Sequence, residues 1–354
     1  MAGVIEAIGV ISGVLGILQF GIDNFPKQDT VSSTIRITVG LDTAGGLNNA
    51  GGDLPDVRLF NEGGEFLGIE TDPGKVHDGG FKDITIKHND DVNQQPAYAL
   101  FSANNDAICL AIAVATFPGN ERYTWVGDWG HQCGGSWYFS NIFIESSSRK
   151  VDCMWIDGNN DQPQSGFQVH WPEFVNKKGE QLPTDAAGQA AKIDYLCNSG
   201  PPFKMYNFAD VKDPKGITFW TINNKRSEGG IEERTTAMSY GPAKHPESAK
   251  FRRSESLHAR ANSTNPHINR LVMSNDAQHV ADELCKSETS YGPDFVNIAS
   301  GTFCRMSDKT LFPVCDGAET VDNCFNKDLQ QLIVNGVSAR DTPYGDVLDW
   351  TSSN

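Results

Sequence analysis

AICLAIAVAT (107–116), WYFSNIFI (137–144), VDCMWID (151–157) and GFQVHW (166–171) decide the fold. Each is a short run rich in β-branched, aromatic and small apolar residues, bounded by turn formers, and so reads as a strand rather than a helix. TIRITVG (34–40) alternates strictly, and DITIKH (83–88) and AYALFSA (97–103) complete the series. Between the runs lie Ala103-Asn104-Asn105-Asp106 and Asp157-Gly158-Asn159-Asn160-Asp161, residues that favour turns. The spacing predicts an antiparallel β-sandwich or barrel. Five of the seven tryptophans fall between Trp125 and Trp171, where they serve a core or sheet face; a sugar-stacking platform draws on the same residue types.

Working outward, DAAGQAAKIDYLC (185–197) reads as a helix stopped by Gly200-Pro201-Pro202, after which the chain reads as a polar connector. Residues 225–260 hold eight basic residues in an otherwise acidic chain. They carry the dibasic pairs Lys225-Arg226 and Arg252-Arg253, with the sequon Asn262 just beyond. This stretch reads as an exposed linker with candidate processing and glycosylation sites, or as an ordinary charged loop. In the tail, Ser274 is placed to start a helix through DAQHVADELCKS, with Asp276 near its start and Lys286 near its end. SYGPDFVNIASGTFCRMSDKTLFPVC then reads as turn, strand, turn, strand.

The N-terminal GVIEAIGVISGVLGILQFGIDNF (3–25) is apolar almost throughout. On a helix Gly9, Ser12, Gly13 and Gly16 fall on one stripe, a G-x-x-x-G surface that admits a second helix backbone. Each glycine costs about 1 kcal/mol relative to alanine in a helix, so packing must offset them. A cleaved signal peptide lacks its positive n-region here, and a membrane span would want roughly 20 apolar residues. A cleaved signal peptide, a helix buried among copies of the chain, a membrane-inserted or interfacial helix and a helix within its own core are the competing readings.

The architecture expected is therefore α+β, mainly β: a hydrophobic glycine-striped helix (1–26), a β-rich body with a late helix (30–222), a polar basic linker (223–265) and a disulfide-stapled α+β module (266–354). Cys109, Cys133, Cys153 and Cys197 lie in the body, and Cys285, Cys304, Cys315 and Cys324 in the tail. No C-x-x-C occurs, so disulfides are the better reading than zinc or redox sites, with three connectivities open in each group of four. That places the chain in an oxidising compartment, secreted or at the cell surface, with eight free thiols in a cytoplasmic protein as the alternative.

At 354 residues the chain has room for two domains and a real core. Its 45 acidic residues against 29 basic ones, a net charge of −16, disfavour nucleic acid as a partner. No G-x-S-x-G, Walker loop, G-x-G-x-x-G or H-E-x-x-H is present, and Asp53 with Asp56 is an acid–base pair only in principle. His131 and His170 have no evident nucleophile or ligand partner and read as structural histidines. Asp157, Asn159 and Asp161 spell D-x-N-x-D, a calcium candidate, but Gln162 and Gln168 stand where an EF-hand needs Gly and Glu; a tight turn explains the same letters. No other cofactor is expected.

GGDLPDVRLFN (51–61), ALFSANNDAICLA (99–111), WVGDWG (125–130), MWIDGNNDQPQSGFQVHWPEF (154–174) and the tail SYGPDFVNIASGTFC with LFPVC resemble a group of uncharacterised, largely secreted proteins of filamentous ascomycete fungi. The resemblance implies a fungal protein of an oxidising compartment and brings no activity with it. The function expected is a non-enzymatic, self-associating protein. Its N-terminal helix drives homo-oligomer or filament assembly, with the β body outside. The alternatives are a membrane-active or pore-forming protein using the same helix, and an extracellular glycan- or calcium-binding module.

Overall fold

The computed structural model describes residues 31–40, 50–144, 149–174, 183–223, 233–241, 267–317 and 322–351. The glycine stripe at Gly9, Ser12, Gly13 and Gly16, the basic pairs Lys225-Arg226 and Arg252-Arg253, and Asn262 lie outside the described residues.

In chain order the body contains β1 (Ser32–Val39), a two-residue β2 (Gly52–Asp53), β3 (Asp56–Phe60), β4 (Phe66–Glu70), a two-residue β5 (Lys75–Val76) and β6 (Phe81–Lys87). There follow β7 (Tyr98–Ser102), β8 (Ile108–Thr116), β9 (Arg122–Val126), a short helix Asp128–Gln132, β10 (Trp137–Ile144), β11 (Arg149–Ile156) and β12 (Gln164–His170). The helix Ala186–Asn198 leads to β13 (Phe203–Asn207), β14 (Gly216–Asn223) and β15 (Glu233–Tyr240).

Two sheets share one core. The first has the order β10-β11-β8-β1-β6, with β9 also on β8; the second has the order β13-β12-β7-β3-β4. Every pairing in both is antiparallel. β8 is the central element: its start, Ile108–Leu110, pairs with β11, and its end, Ile112–Thr116, forms a hairpin with β9 on the same side, while β1 runs along the other. All nine of its residues are buried, which is why this strand reads as an unbroken apolar run rather than an alternating one. Trp125 of the first sheet stacks on Phe167 of the second at 4.8 Å between ring centroids, and Phe167 stacks on Phe101 at 4.6 Å.

The chain after Pro202 is not a bare connector. ITFWTIN is rich in β-branched and aromatic residues, and β14 pairs along its whole length with β15, which lies inside the stretch that reads as a linker; Ile217 and Phe219 pack on Phe60, Tyr98 and Leu100. Side chains that can be buried override the polar average of the region.

The tail holds β16 (Arg270–Ser274), a helix Ala281–Lys286, β17 (Asp294–Asn297), β18 (Thr302–Arg305), β19 (Thr310–Pro313), β20 (Cys324–Asn326), β21 (Gln331–Val334), β22 (Val337–Ser338) and β23 (Asp346–Asp349). Its five-stranded sheet, β19-β18-β17-β16-β23, is mixed, with β16 parallel to both β17 and β23. The helix is shorter than the sequence predicts and begins at Ala281, not behind Ser274. The reason is competition: the Ser274 hydroxyl accepts the Asp276 amide, and the Asn297 amide donates to the carbonyls of Asp276 and His279, holding the segment as a turn.

The cysteines pair as Cys109–Cys153, Cys133–Cys197, Cys285–Cys304 and Cys315–Cys324. Sequence separations of 44 and 64 in the body imply, in the chain-entropy picture, roughly 4 kcal/mol each, and those of 19 and 9 in the tail roughly 3 kcal/mol each. No bridge joins body to tail. The two meet through side chains and a few main-chain bonds. Trp137 donates its amide to Thr289 O (3.2 Å) and its indole N–H to Ser287 Oγ (2.9 Å), and its carbonyl accepts the Tyr291 amide (2.9 Å). Tyr138 Oη donates to Pro293 O and Trp155 Nε1 to Tyr291 O, each at 2.9 Å. Lys150 Nζ pairs with Asp276 at 3.0 Å.

Candidate functional site

The tail sheet builds a charged cavity. Because β16 and β17 are parallel, their starting residues lie at one edge; because β18 is antiparallel to β17, its end comes back to the same edge. His267 and Ile268 before β16, Gly292 and Asp294 at β17, and Arg305 to Asp308 after β18 therefore converge, joined by Arg340 after β22. The cavity they line has a volume of about 290 Å³, the lower edge of the roughly 300 Å³ upward that small-molecule sites occupy.

Its charges are held in place. Arg305 makes a two-pronged contact with Asp308, Nε to Oδ1 at 2.9 Å and Nη2 to Oδ2 at 2.7 Å, and its guanidinium lies over Phe312. That bond lowers the pKa of Asp308 and raises that of Arg305. Arg340 stacks on Tyr344 at 4.2 Å and donates to Ile268 O (2.8 Å) and Asn269 Oδ1 (2.6 Å), while its buried Nε has no hydrogen-bond partner. Asp294 accepts the Met306 amide at 2.7 Å and the Tyr344 hydroxyl at 2.6 Å. Burial nevertheless raises its pKa, with Tyr344, Met306 and Arg340 opposing the shift. His267 is pushed down to about 3, first by burial and then by Arg270. The wall thus offers two guanidiniums, two carboxyls and a neutral imidazole.

The sequence candidates fall elsewhere. Asp157 is fully buried; its Oδ2 accepts the amides of Asp161 (2.7 Å) and Asn159 (3.1 Å), and Asn159 Oδ1 accepts the Asp161 amide at 3.0 Å. The D-x-N-x-D letters thus form a hydrogen-bonded turn, and burial lifts the Asp157 pKa to about 7. Among the described residues no cluster of His, Cys, Asp and Glu side chains is arranged to hold a metal ion.

Asp53 pairs with Lys75 at 3.1 Å, and Asp56 accepts the Asp72 amide and the Asn104 side chain, so the two have separate structural partners. His131 bonds Asp152 at 2.7 Å and stacks on Trp137; His170 bonds Glu62 at 2.8 Å and stacks on Tyr98. Burial opposes the charged form of each, but the carboxylates outweigh it and both pKa values are raised. Trp125, Trp129, Trp137, Trp155 and Trp171 are all buried and closed to a sugar ring.

The sequence reading missed the cavity residues because they come from separate segments and share no motif. The one local signal is the Arg305-x-x-Asp308 spacing in a turn.

No family model and no curated protein matches the chain. The crystal structure of a LOX variant is similar to it over 38% of this chain and 18% of that one, at 11% identity and a TM-score of 0.21.

Proposed function

We propose that the protein is a non-enzymatic binding protein of an oxidising, extracellular compartment, in which a two-sheet β-sandwich carries the tail and the tail cavity takes a small zwitterion of amino-acid size. The observation that carries this reading is the convergence of Arg305, Arg340, Asp294 and Asp308 on one 290 Å³ cavity. Guanidiniums recognise a carboxylate in a fixed fork, and the carboxyls of Asp294 and Asp308 in the same lining suit an ammonium group, so a ligand bearing both charges finds partners for both. Four disulfides are compatible with the compartment. The test is a melting-temperature series with α-amino acids, acetate, methylammonium and glucose. Only the zwitterions raise Tm, and Arg305→Ala abolishes the rise; a rise with glucose alone, or none with any compound, defeats the reading.

A second reading rests on the sequence itself: on a helix, Gly9, Ser12, Gly13 and Gly16 would share one stripe suited to close helix packing, and we propose that copies of the chain associate through it, either as an assembly or at a membrane. Among the described residues no helix is long and apolar enough to cross a membrane. Replacing Gly13 by leucine dissociates such an assembly, and an unchanged sedimentation profile rejects it; dye release from liposomes separates insertion from assembly.

A further inference from the structure

We propose that the tail is an acid-released arm: protonation of His267 and His279, buried where it seats on the body, frees it from the aromatic face of β10 and β11 while both parts remain folded.

The covalent layout permits this. All four disulfides close within the body or within the tail, so beyond the connecting chain only non-covalent contacts hold the seat. Both histidines lie in that seat. His279 is 1% exposed, and its ring centroid is 5.0 Å from Phe139 of the body and 5.2 Å from Trp350 of the tail. His267 is 2% exposed, 5.7 Å from Trp155 of the body and 5.2 Å from Tyr291.

A second proton is poorly received there. An imidazolium donates from both nitrogens. His279 Nδ1 is taken by Ser274 Oγ at 2.9 Å, whereas Nε2 is buried without a hydrogen-bond partner. The charges facing His279 are Lys150 and Asp152 from β11 and Asp276 from its own turn; the Ser140 main chain of β10 alongside the ring, like the two carboxylates, favours its cation, against burial and Lys150. Lys150 repels an imidazolium, and of the two anions Asp276 is already committed to Lys150 at 3.0 Å and Asp152 to His131 at 2.7 Å. Facing His267 are the Arg270 cation and the cavity charges Asp294, Arg305, Asp308 and Arg340. Burial is the first cause in both cases, and it holds His279 near a pKa of about 4 and His267 near about 3. His131 works in the opposite sense: bonded to Asp152, it favours its cation, which faces Glu283 on the tail helix and delays release.

The sign follows from linkage. An imidazole whose pKa is depressed in the docked state stabilises docking fully above about pH 6.5, its unperturbed value, and loses that contribution as pH falls. By pH 4.5 each histidine that becomes solvated on release shifts the equilibrium up to about 100-fold towards the free arm, relative to its value well above pH 6.5.

The experiment uses the full chain. Small-angle scattering and far-UV circular dichroism are followed from pH 7 to 4, with amide exchange read at Trp137 and Tyr291, the main-chain donors across the seat, and within β8. The expected result is a reversible rise in radius of gyration below about pH 5. Trp137 and Tyr291 lose protection, β8 keeps its own, and the dichroism is unchanged. The H267Q/H279Q variant, matched to the parent in radius of gyration at pH 7, stays closed. If that variant fails to match, the exchange pattern of the parent decides. A seat that stays protected to pH 4, an opening that coincides with loss of β8 protection, or a matched variant that opens at the parent's pH overturns the proposal.

Discussion

Gly292 lies flat on the ring of Tyr138: a Cβ built on it would stand 2.4 Å from Cδ2 and 2.6 Å from Cε2, where no real Cβ fits. The same tyrosine donates its hydroxyl to Pro293 O, so ring and hydrogen bond together set how closely tail and body approach. Gly292→Ala forces the ring or the loop to move, an overpacking cost of about 1–3 kcal/mol. Chemical denaturation should show a lowered midpoint for the variant, and an unchanged one would mean that the contact is looser than described.

The disulfide pattern makes a prediction about cleavage. Cys109–Cys153 and Cys133–Cys197 lie within the body, Cys285–Cys304 and Cys315–Cys324 within the tail. If the chain is cut at Arg252-Arg253, its two pieces should travel together in native sizing at pH 7 and separate in detergent without reductant. A single band in non-reducing detergent would require a bridge between the parts.

Asp157 gives a pH test. Its carboxyl is an acid whose pKa is raised to about 7 by burial, so its ionisation disfavours the folded state as pH climbs from the ordinary 3.8 through 7. Asp157→Asn keeps an oxygen acceptor without the charge. Its Tm should exceed the parent's by a few degrees at pH 8, with the gap closing towards pH 4; a gap independent of pH would show that the charge is not the cause.

His131 and Asp152 carry the opposite sign. Against the burial that opposes it, the Asp152 carboxylate raises the His131 pKa, so their bond stabilises fully below about 6.5 and is lost as pH rises through the raised folded value. Asp152→Asn should therefore lower Tm more at pH 5.5 than at pH 8.5. Equal losses at the two pH values would assign the effect to packing alone.

Much of the body was legible because its signals are local. The strand runs at 34–40, 107–116 and 137–144 are realised within a residue or two, since turn formers bound each one and the buried β8 needs a continuous apolar run. What escaped was whatever depends on distant partners. β15 takes its place from pairing with β14 rather than from its own polar composition, and the tail helix loses its first turn to Asn297, a residue far along the chain. The turn at Asp157 shows the limit from the other side: identical letters serve a metal loop or a hydrogen-bonded turn, and the bonds from the Asn159 and Asp161 amides to Asp157 are visible only in the structure. The cavity was invisible for a topological reason, because His267, Asp294, Arg305 and Arg340 meet only through the parallel placement of β16 and β17, the antiparallel return of β18 and the segment after β22.

The most direct test of the central claim is isothermal titration of the full chain with a mixture of α-amino acids, repeated on Arg305→Ala. The account predicts binding heat for the parent at pH 7 and none for the variant, because the Arg305 guanidinium in the cavity lining supplies the carboxylate contact. No heat from the parent, or the same heat from both, would contradict it.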